Sequence, residues 1–387
     1  MHGFADSSEL RKIFVCMLAV LFLLGLSCGG ENNQPESSSS EQNDDHADVC
    51  TLIVADSIGV ELGDSNYVFG AIKEVDIGPG GDIFVLDWIK CAIFRYSPDG
   101  EFVQRIGGPG SGPGEISMPG FFEVLDDGSI CVVAANGWQR YDSAGESVST
   151  QPDEGRRIRY MNSADSNFII GASVEVEWRD DQMQITKSIC RFDSQRPDST
   201  IVDYHQMQYH IETAEMNEFM RAVVRVDLFP MLFAAGDGFV CIASDPVEES
   251  EILILHEDGS AANTLMLPYR AVQKTEDEIA EEKRFIEAFF HHSTGYTNRV
   301  DWISLPNHPM IANLGVDSLN RIWVQRGFEQ DPTFDLYDIS GEHLMTAVLP
   351  GRDDTAHWKF NISRGGILAV PEDPESYYSV YMIHFDL

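Results

Sequence analysis

Between Ala71 and Glu115 the chain runs through four short β-type segments, and no helix pattern interrupts them. Ile72–Ile77 is followed by the turn Gly78-Pro79-Gly80-Gly81, and Asp82–Asp87 by Ala92–Tyr96. The turn Ser97-Pro98-Asp99-Gly100 then leads into Glu101–Ile106. Runs of this length, bounded by Gly, Pro and Asp, read as an antiparallel meander. A meander of about 45 residues is the size of one β-propeller blade. The glycine- and proline-rich stretch Arg105–Glu115 ends the unit with no helix behind it, so it reads as a crossing from one blade to the next.

The unit recurs. Its turn anchors fall near 81, 128, 167, 238, 320 and 366. Three steps are near 40–47 residues, a blade period, and two, of about 71 and 82, need insertions. The first insertion, roughly 203–232, carries a helical pattern at Thr213–Met220. The second, about 271–292, opens on Thr275-Glu276-Asp277-Glu278, a capping box, with Ile279, Phe285, Ile286, Phe289 and Phe290 on or near one face. The expected fold is all-β: a six-bladed propeller of four-stranded antiparallel blades over 50–387, with short helical insertions. A seventh blade near 200–230 is the alternative. The last unit shows no fourth segment after Tyr381–Asp386, and Thr51–Leu62 precedes the first complete unit. Sheet edges want partners, so Thr51–Leu62 is expected to complete the last blade and close the ring.

The blade motif reads Gly-x-Ile-x-Val-x-Asp, Ile-Phe-x-Tyr-x-x-x-Gly-x-Phe, then Ile-Gly-x-x-Gly-x-Gly-Pro-Gly-Glu, the last at Ile106–Glu115. It resembles the six-bladed β-propeller lipoproteins of Bacteroidota-like bacteria, which are similar in turn to NHL-repeat and TolB-like propellers. The resemblance covers about 50–387. It implies a fold and a cell-surface or periplasmic setting, and it carries over no catalytic residue.

The N-terminus agrees with that setting. Arg11 and Lys12 precede an apolar run from Ile13 to Leu26, too short for a membrane span of about 20 residues but suited to a secretory signal. Leu24-Gly25-Leu26-Ser27-Cys28 resembles a lipobox, although Gly25 stands where a large aliphatic residue is usual. Residues 1–27 are thus expected to be a signal peptide, and Cys28 the lipidated residue. Gly29 after the cysteine, in place of aspartate, points to the outer membrane. Residues 28–49 are acidic and serine-rich and read as a disordered tether. Of the seven cysteines, Cys50, Cys91, Cys131, Cys190 and Cys241 remain after Cys16 and Cys28. An odd set without close pairs argues against a disulfide framework, and Cys131 and Cys241 fit apolar strand interiors.

Charge narrows the partners. With 63 acidic and 26 basic residues the net charge is −37, which excludes nucleic acid as a partner and leaves the lipid anchor as the only membrane contact. Gly110–Gly114 lacks the Lys-Ser/Thr end of a phosphate loop, and Glu115 would repel phosphate. His291 and His292 end the insert helix, where histidines suit the helix dipole. With Phe289 and Phe290 they form the candidate ligand-face insert. Glu74, Asp76, Glu123 and Asp317 lie near first-strand positions, but acids this abundant do not define a calcium site. The sequence therefore yields no catalytic, cofactor or metal residue. The expected function is a ligand- or protein-binding scaffold in the envelope, partner unidentified. The rival is a calcium-dependent lactonase- or lyase-like enzyme using the central channel.

Overall fold

The computed structural model describes residues 48–151, 157–163, 167–179, 182–212, 232–294, 303–329, 331–351, 358–372, 374 and 376–386. The signal segment, Cys28 and residues 28–47 of the tether lie outside them, as does the helical pattern at 213–220. Strand β1 is Asp48–Ile58. Blade 1 holds β2 (Ile72–Ile77), β3 (Ile83–Asp87), β4 (Ala92–Tyr96) and β5 (Phe102–Ile106). Blade 2 holds β6 (Pro119–Val124), β7 (Ile130–Ala134), β8 (Gly137–Tyr141) and β9 (Ser147–Gln151). Blade 3 holds β10 (Arg157–Ser163), β11 (Phe168–Arg179), β12 (Gln182–Asp193) and β13 (Arg196–Glu212). Blade 4 holds β14 (Leu232–Gly236), β15 (Phe239–Ala243), β16 (Glu251–His256) and β17 (Ala261–Met266). Helix α1 (Glu276–Thr294) follows, then blade 5 with β18 (Ile311–Val316), β19 (Ile322–Arg326), β20 (Thr333–Tyr337) and β21 (His343–Val348). Blade 6 holds β22 (Trp358–Ser363), β23 (Gly366–Pro371) and β24 (Val380–Phe385). The innermost strands β2, β6, β10, β14, β18 and β22 touch in that order, and β22 returns to β2. This is the expected six-bladed ring.

A period-2 strand sends alternate side chains to opposite faces, and here each face meets a different neighbour. In β3, Ile83 and Val85 pack with Leu368, Val370 and Met382 of blade 6. Phe84 and Leu86, between them, pack with Phe122, Val124 and Val132 of blade 2. In β15, Val240 and Ile242 meet Ile170 and Ile189 of blade 3, while Phe239 and Cys241 meet Val316 and Ile322 of blade 5. A middle strand is therefore covered on both sides, which is why Ile83–Asp87 and Phe239–Ala243 are buried at every position. Toward the rim the demand ends: β9, Ser-Val-Ser-Thr-Gln, has no buried residue. Polar outer strands also discourage edge-to-edge association.

β1 closes the ring as expected. Leu52 to Ile58 pair antiparallel with Phe385 to Val380 of β24, with a bulge between Val54 and Asp56. The pairing ends at Ile58; the expected segment ran on to Leu62. A further contact lies outside the expectation: Asp48–Thr51 pair parallel with Met345–Val348 of β21. Two residues assigned to the tether, Asp48 and Val49, are thus strand, and β1 fuses blades 5 and 6 into one eight-stranded sheet.

The first insertion needs a correction. Residues 203–212 continue the outer strand of blade 3, and β12 pairs with β13 as far as Gln182↔Glu212. His205-Gln206-Met207-Gln208-Tyr209-His210-Ile211 alternates with a period of two, as a strand does. The second insertion carries the expected helix, shifted to Glu276–Thr294. Its capping box forms: the Thr275 N–H donates to Glu278 Oε2 at 2.6 Å, and the Glu278 N–H to Thr275 Oγ1 at 3.2 Å. Cys50, Cys91, Cys131, Cys190 and Cys241 are free thiols, with Cys131 and Cys241 fully buried.

Candidate functional site: a channel with two unlike mouths

The ring has two faces of different construction. On one, short turns join first to second strands and third to fourth strands. On the other lie the second-to-third-strand loops and the blade-to-blade crossings, including 59–71, 107–118 and, of the insert, 267–294 and 303–310.

The long-loop face is built from local polar devices. In the glycine-rich crossing, the Ile116 N–H donates to the Gly108 carbonyl at 2.7 Å and the Gly112 N–H to Glu115 Oε2 at 2.8 Å. The Glu115 carboxylate fills the space beside Gly110, where a Cβ would stand 2.0 Å from Oε2. Gly110 also has φ +154°, and Gly107 and Gly114 have φ +72° and +76°, conformations glycine adopts without steric cost. The loop thus folds around its own glutamate, and its Gly110, Gly112, Glu115 and Ile116 amides are engaged within the loop. In the insert, Lys274 Nζ lies 2.6 Å from Glu282 Oε2, which also accepts from Ser304 Oγ at 2.7 Å. His308 Nε2 is 3.2 Å from Glu278 Oε1, and its ring stacks on Phe328 of blade 5 at 4.2 Å. Burial pushes the His308 imidazole below its usual range, against the pull of Glu278. Phe289, Phe290, His291 and His292 fall within the backbone span of α1, and their side chains lie outside the described residues.

A buried carboxylate in blade 5 holds the approach to the insert. Asp335 takes both arms of Arg326, at 2.8 and 3.0 Å, and hydroxyls from Tyr269 and Thr346, each at 2.7 Å. Burial pushes Asp335 up, but Arg326 and the two hydroxyls outweigh it and hold the carboxyl below its usual range. A carboxylate so fully satisfied is a structural anchor.

The channel wall is stitched by polar side chains that the sequence reading passed over or left unconnected. Asn162 Oδ1 of blade 3 accepts from the Ala235 N–H of blade 4 at 2.9 Å. Asn313 Nδ2 of blade 5 donates to the Phe360 carbonyl of blade 6 at 2.7 Å. Asp76 Oδ2 of blade 1 accepts from the Val124 N–H of blade 2 at 3.0 Å, while Oδ1 accepts from Ile77 at 2.7 Å. Glu74, on the same face of β2, is 2.9 Å from Lys359 of β22. Burial pushes the Asp76 carboxyl up to about 7; the Val124 and Ile77 amides oppose the rise and Glu74 adds to it. Of the first-strand acids, Glu74 therefore meets blade 6 and Asp76 blade 2, whereas Asp317 is engaged at its own turn by Arg321 and the Trp323 indole N–H, at 2.7 and 2.9 Å. Among the described residues no group of three or more His, Cys, Asp or Glu is placed to hold a metal ion.

Arg364 bridges the short-turn mouth. It sits in the first turn of blade 6, between β22 and β23, and reaches the first turns of two blades across the ring. Nη2 is 2.9 Å from Asp237 of blade 4, and Nη1 is 3.8 Å from Asp126 of blade 2. Asp237 is also held by Asn320 of blade 5, whose Nδ2 lies 3.2 Å from Oδ2. One guanidinium thus joins three alternate blades over the axis.

Residues 60–151, which span all of blades 1 and 2, match the family model DUF5128, described as a 6-bladed beta-propeller. No curated protein matches the chain. Among solved structures, a calcium-binding protein, regucalcin, from Agrobacterium tumefaciens is 11% identical, with 87% of this chain and 95% of that one covered and a TM-score of 0.44. A member of the DUF4221 family from Bacteroides vulgatus is 10% identical, with 87% and 98% covered and a TM-score of 0.47. Virginiamycin B lyase from Staphylococcus aureus is 10% identical, with 86% and 88% covered and a TM-score of 0.40.

Proposed function

We propose that this chain is a lipid-anchored propeller of the bacterial cell envelope. It works as a scaffold that receives a ligand or protein on its long-loop face. The observation that carries the reading is the contrast between the two mouths: Arg364 spans the short-turn mouth on Asp126 and Asp237, so entry to the channel is left to the other side. That other side also displays apolar side chains, with Leu62 84%, Ile89 58% and Ile303 53% exposed. Exposed apolar side chains on the loops of one face are what a recognition surface offers. Anchoring rests on Cys28 and the acidic tether, which would let the ring stand off the membrane.

The test has two arms. Cys28→Ala should abolish incorporation of labelled fatty acid and release the protein from membranes. In cross-linking on intact cells, the triple change Leu62→Ser, Ile89→Ser, Ile303→Ser should lose adducts that the wild type forms. Leu319→Ser with Ile339→Ser on the short-turn face should keep them. Loss of adducts only in the second variant would overturn the assignment of faces.

A further inference from the structure

Blades 1, 2 and 3 each place an arginine just before an aromatic residue that lies at the end of the third strand or one residue short of it: Arg95-Tyr96, Arg140-Tyr141 and Arg191-Phe192. The three share a register, and each looks toward the third-to-fourth-strand turn of the next blade. Arg95 is gripped by Asp82 of its own blade, with Nε at 2.6 Å and Nη2 at 2.5 Å, and donates to the Ser143 carbonyl of blade 2 at 3.1 Å. Arg191 pairs with Glu257 of blade 4 at 2.8 Å and lies 4.1 Å over the Phe168 ring. In blade 2 the tight carboxylate is missing. The position of Asp82, one before the second strand, is Ser129, whose Oγ is 3.2 Å from Arg140 Nη2. Blade 3 contributes the Ser194 hydroxyl at 3.3 Å, and the nearest carboxylate oxygen among the described residues, Asp127 Oδ2, is 3.7 Å away. The Arg140 side chain is 13% exposed. A cation that deep, held by two hydroxyls and one long ion pair, is under-compensated.

A cleft opens at this point. It has a volume of about 480 Å³ and runs along the seam of blades 2 and 3, with Arg140 and Ser129 in its wall and Asp127 and Asp142 among its other lining residues. The size suits a small molecule. A ligand carboxylate could take the place that Asp82 fills in blade 1, with the two-point geometry guanidinium favours. Asp127 and Asp142, and a chain of net charge −37, stand against a simple anion. A cationic group next to the carboxylate would answer both acids. We infer that the blade 2–3 cleft binds a small zwitterion of the α-amino acid class, its carboxylate on Arg140 and its ammonium toward Asp127 and Asp142. The cleft is away from the long-loop face, so this inference stands independently of the binding role proposed for that face.

Calorimetric titration of the full mature chain in detergent against the common free amino acids, one at a time, tests it. At least one should bind. For that one, the amide lacking a free carboxylate and the N-acetyl form lacking the ammonium should each bind at least about tenfold more weakly, as loss of a charge-assisted contact predicts. Arg140→Gln should lose binding. Ser129→Asp, which rebuilds the blade 1 arrangement, should also lose it while keeping the wild-type circular dichroism and melting temperature. The inference is overturned if no amino acid binds at about 10 mM, if acetate binds as well as the amino acid, or if Ser129→Asp binds unchanged.

Discussion

Two closures hold this ring, and they are made of different material. At the rim, β1 joins blade 6 to itself and to blade 5 through two runs of backbone pairing. At the axis, one side chain, Arg364, spans two half-exposed carboxylates. Backbone pairing uses groups every residue carries, and it needs only a strand of the right length and alternation. The axial bridge needs three particular side chains in three blades. The first closure therefore belongs to the fold, and the second to access. Three measurements can break or sharpen that division.

The largest effect is expected at the rim. Deleting residues 48–58 removes a strand whose Leu52 and Ile58 are almost fully buried, and leaves β24 and β21 with bare edges. Cooperative thermal unfolding should disappear and the chain should aggregate. A deletion variant that melts at the wild-type temperature would show that β1 is ornament.

An intermediate, pH-dependent effect is expected where blades 6, 1 and 2 meet. Asp76 is raised to about 7 in the folded protein, whereas an unfolded aspartate titrates near 4. The folded state thus holds a proton that the unfolded chain gives up. The stabilisation is complete below about pH 4 and is lost as pH rises through about 7. Asp76→Asn carries no such proton. Between pH 5 and pH 8 the wild type should therefore lose a few degrees of melting temperature relative to the variant. Parallel melting curves across that range would sink the assignment.

The smallest effect on stability is expected at the axis. Arg364→Ala removes a bridge to carboxylates that water already reaches, so its cost should stay below about 1 kcal/mol. Its effect on access should be larger. A cysteine placed at Ser363 should react faster with a bulky maleimide once Arg364→Ala opens the mouth beside it. An unchanged rate would mean that Arg364 does not close the channel.

The same division explains what could be read from the sequence. The blades were legible because a two-residue period between Gly, Pro and Asp turns is local. Gly81, Gly128, Gly238 and Gly366 all adopt positive φ at the expected anchors. Ring closure was legible because the last unit lacked a strand and Thr51–Leu62 supplied one. Its parallel head on β21 was not, since parallel neighbours leave no turn between them to mark the pairing. The lengthened β13 was missed because a helical pattern follows it at Thr213–Met220. The axial bridge had no signal at all: Arg364, Asp237 and Asp126 are ordinary turn residues that only the closed ring brings together. The under-held Arg140 did have one, the exchange of Asp82 for Ser129 between aligned repeats.

Among the described residues the apolar clusters lie in the seams, each shared by two neighbouring blades. A single blade excised from this chain would be a sheet greasy on both sides with nothing of its own to fold around. Trimming one out would expose the flank of the two that had bordered it. Evolution can lengthen the loops of such a molecule freely, but it can change the number of its blades only by remaking two joints at once.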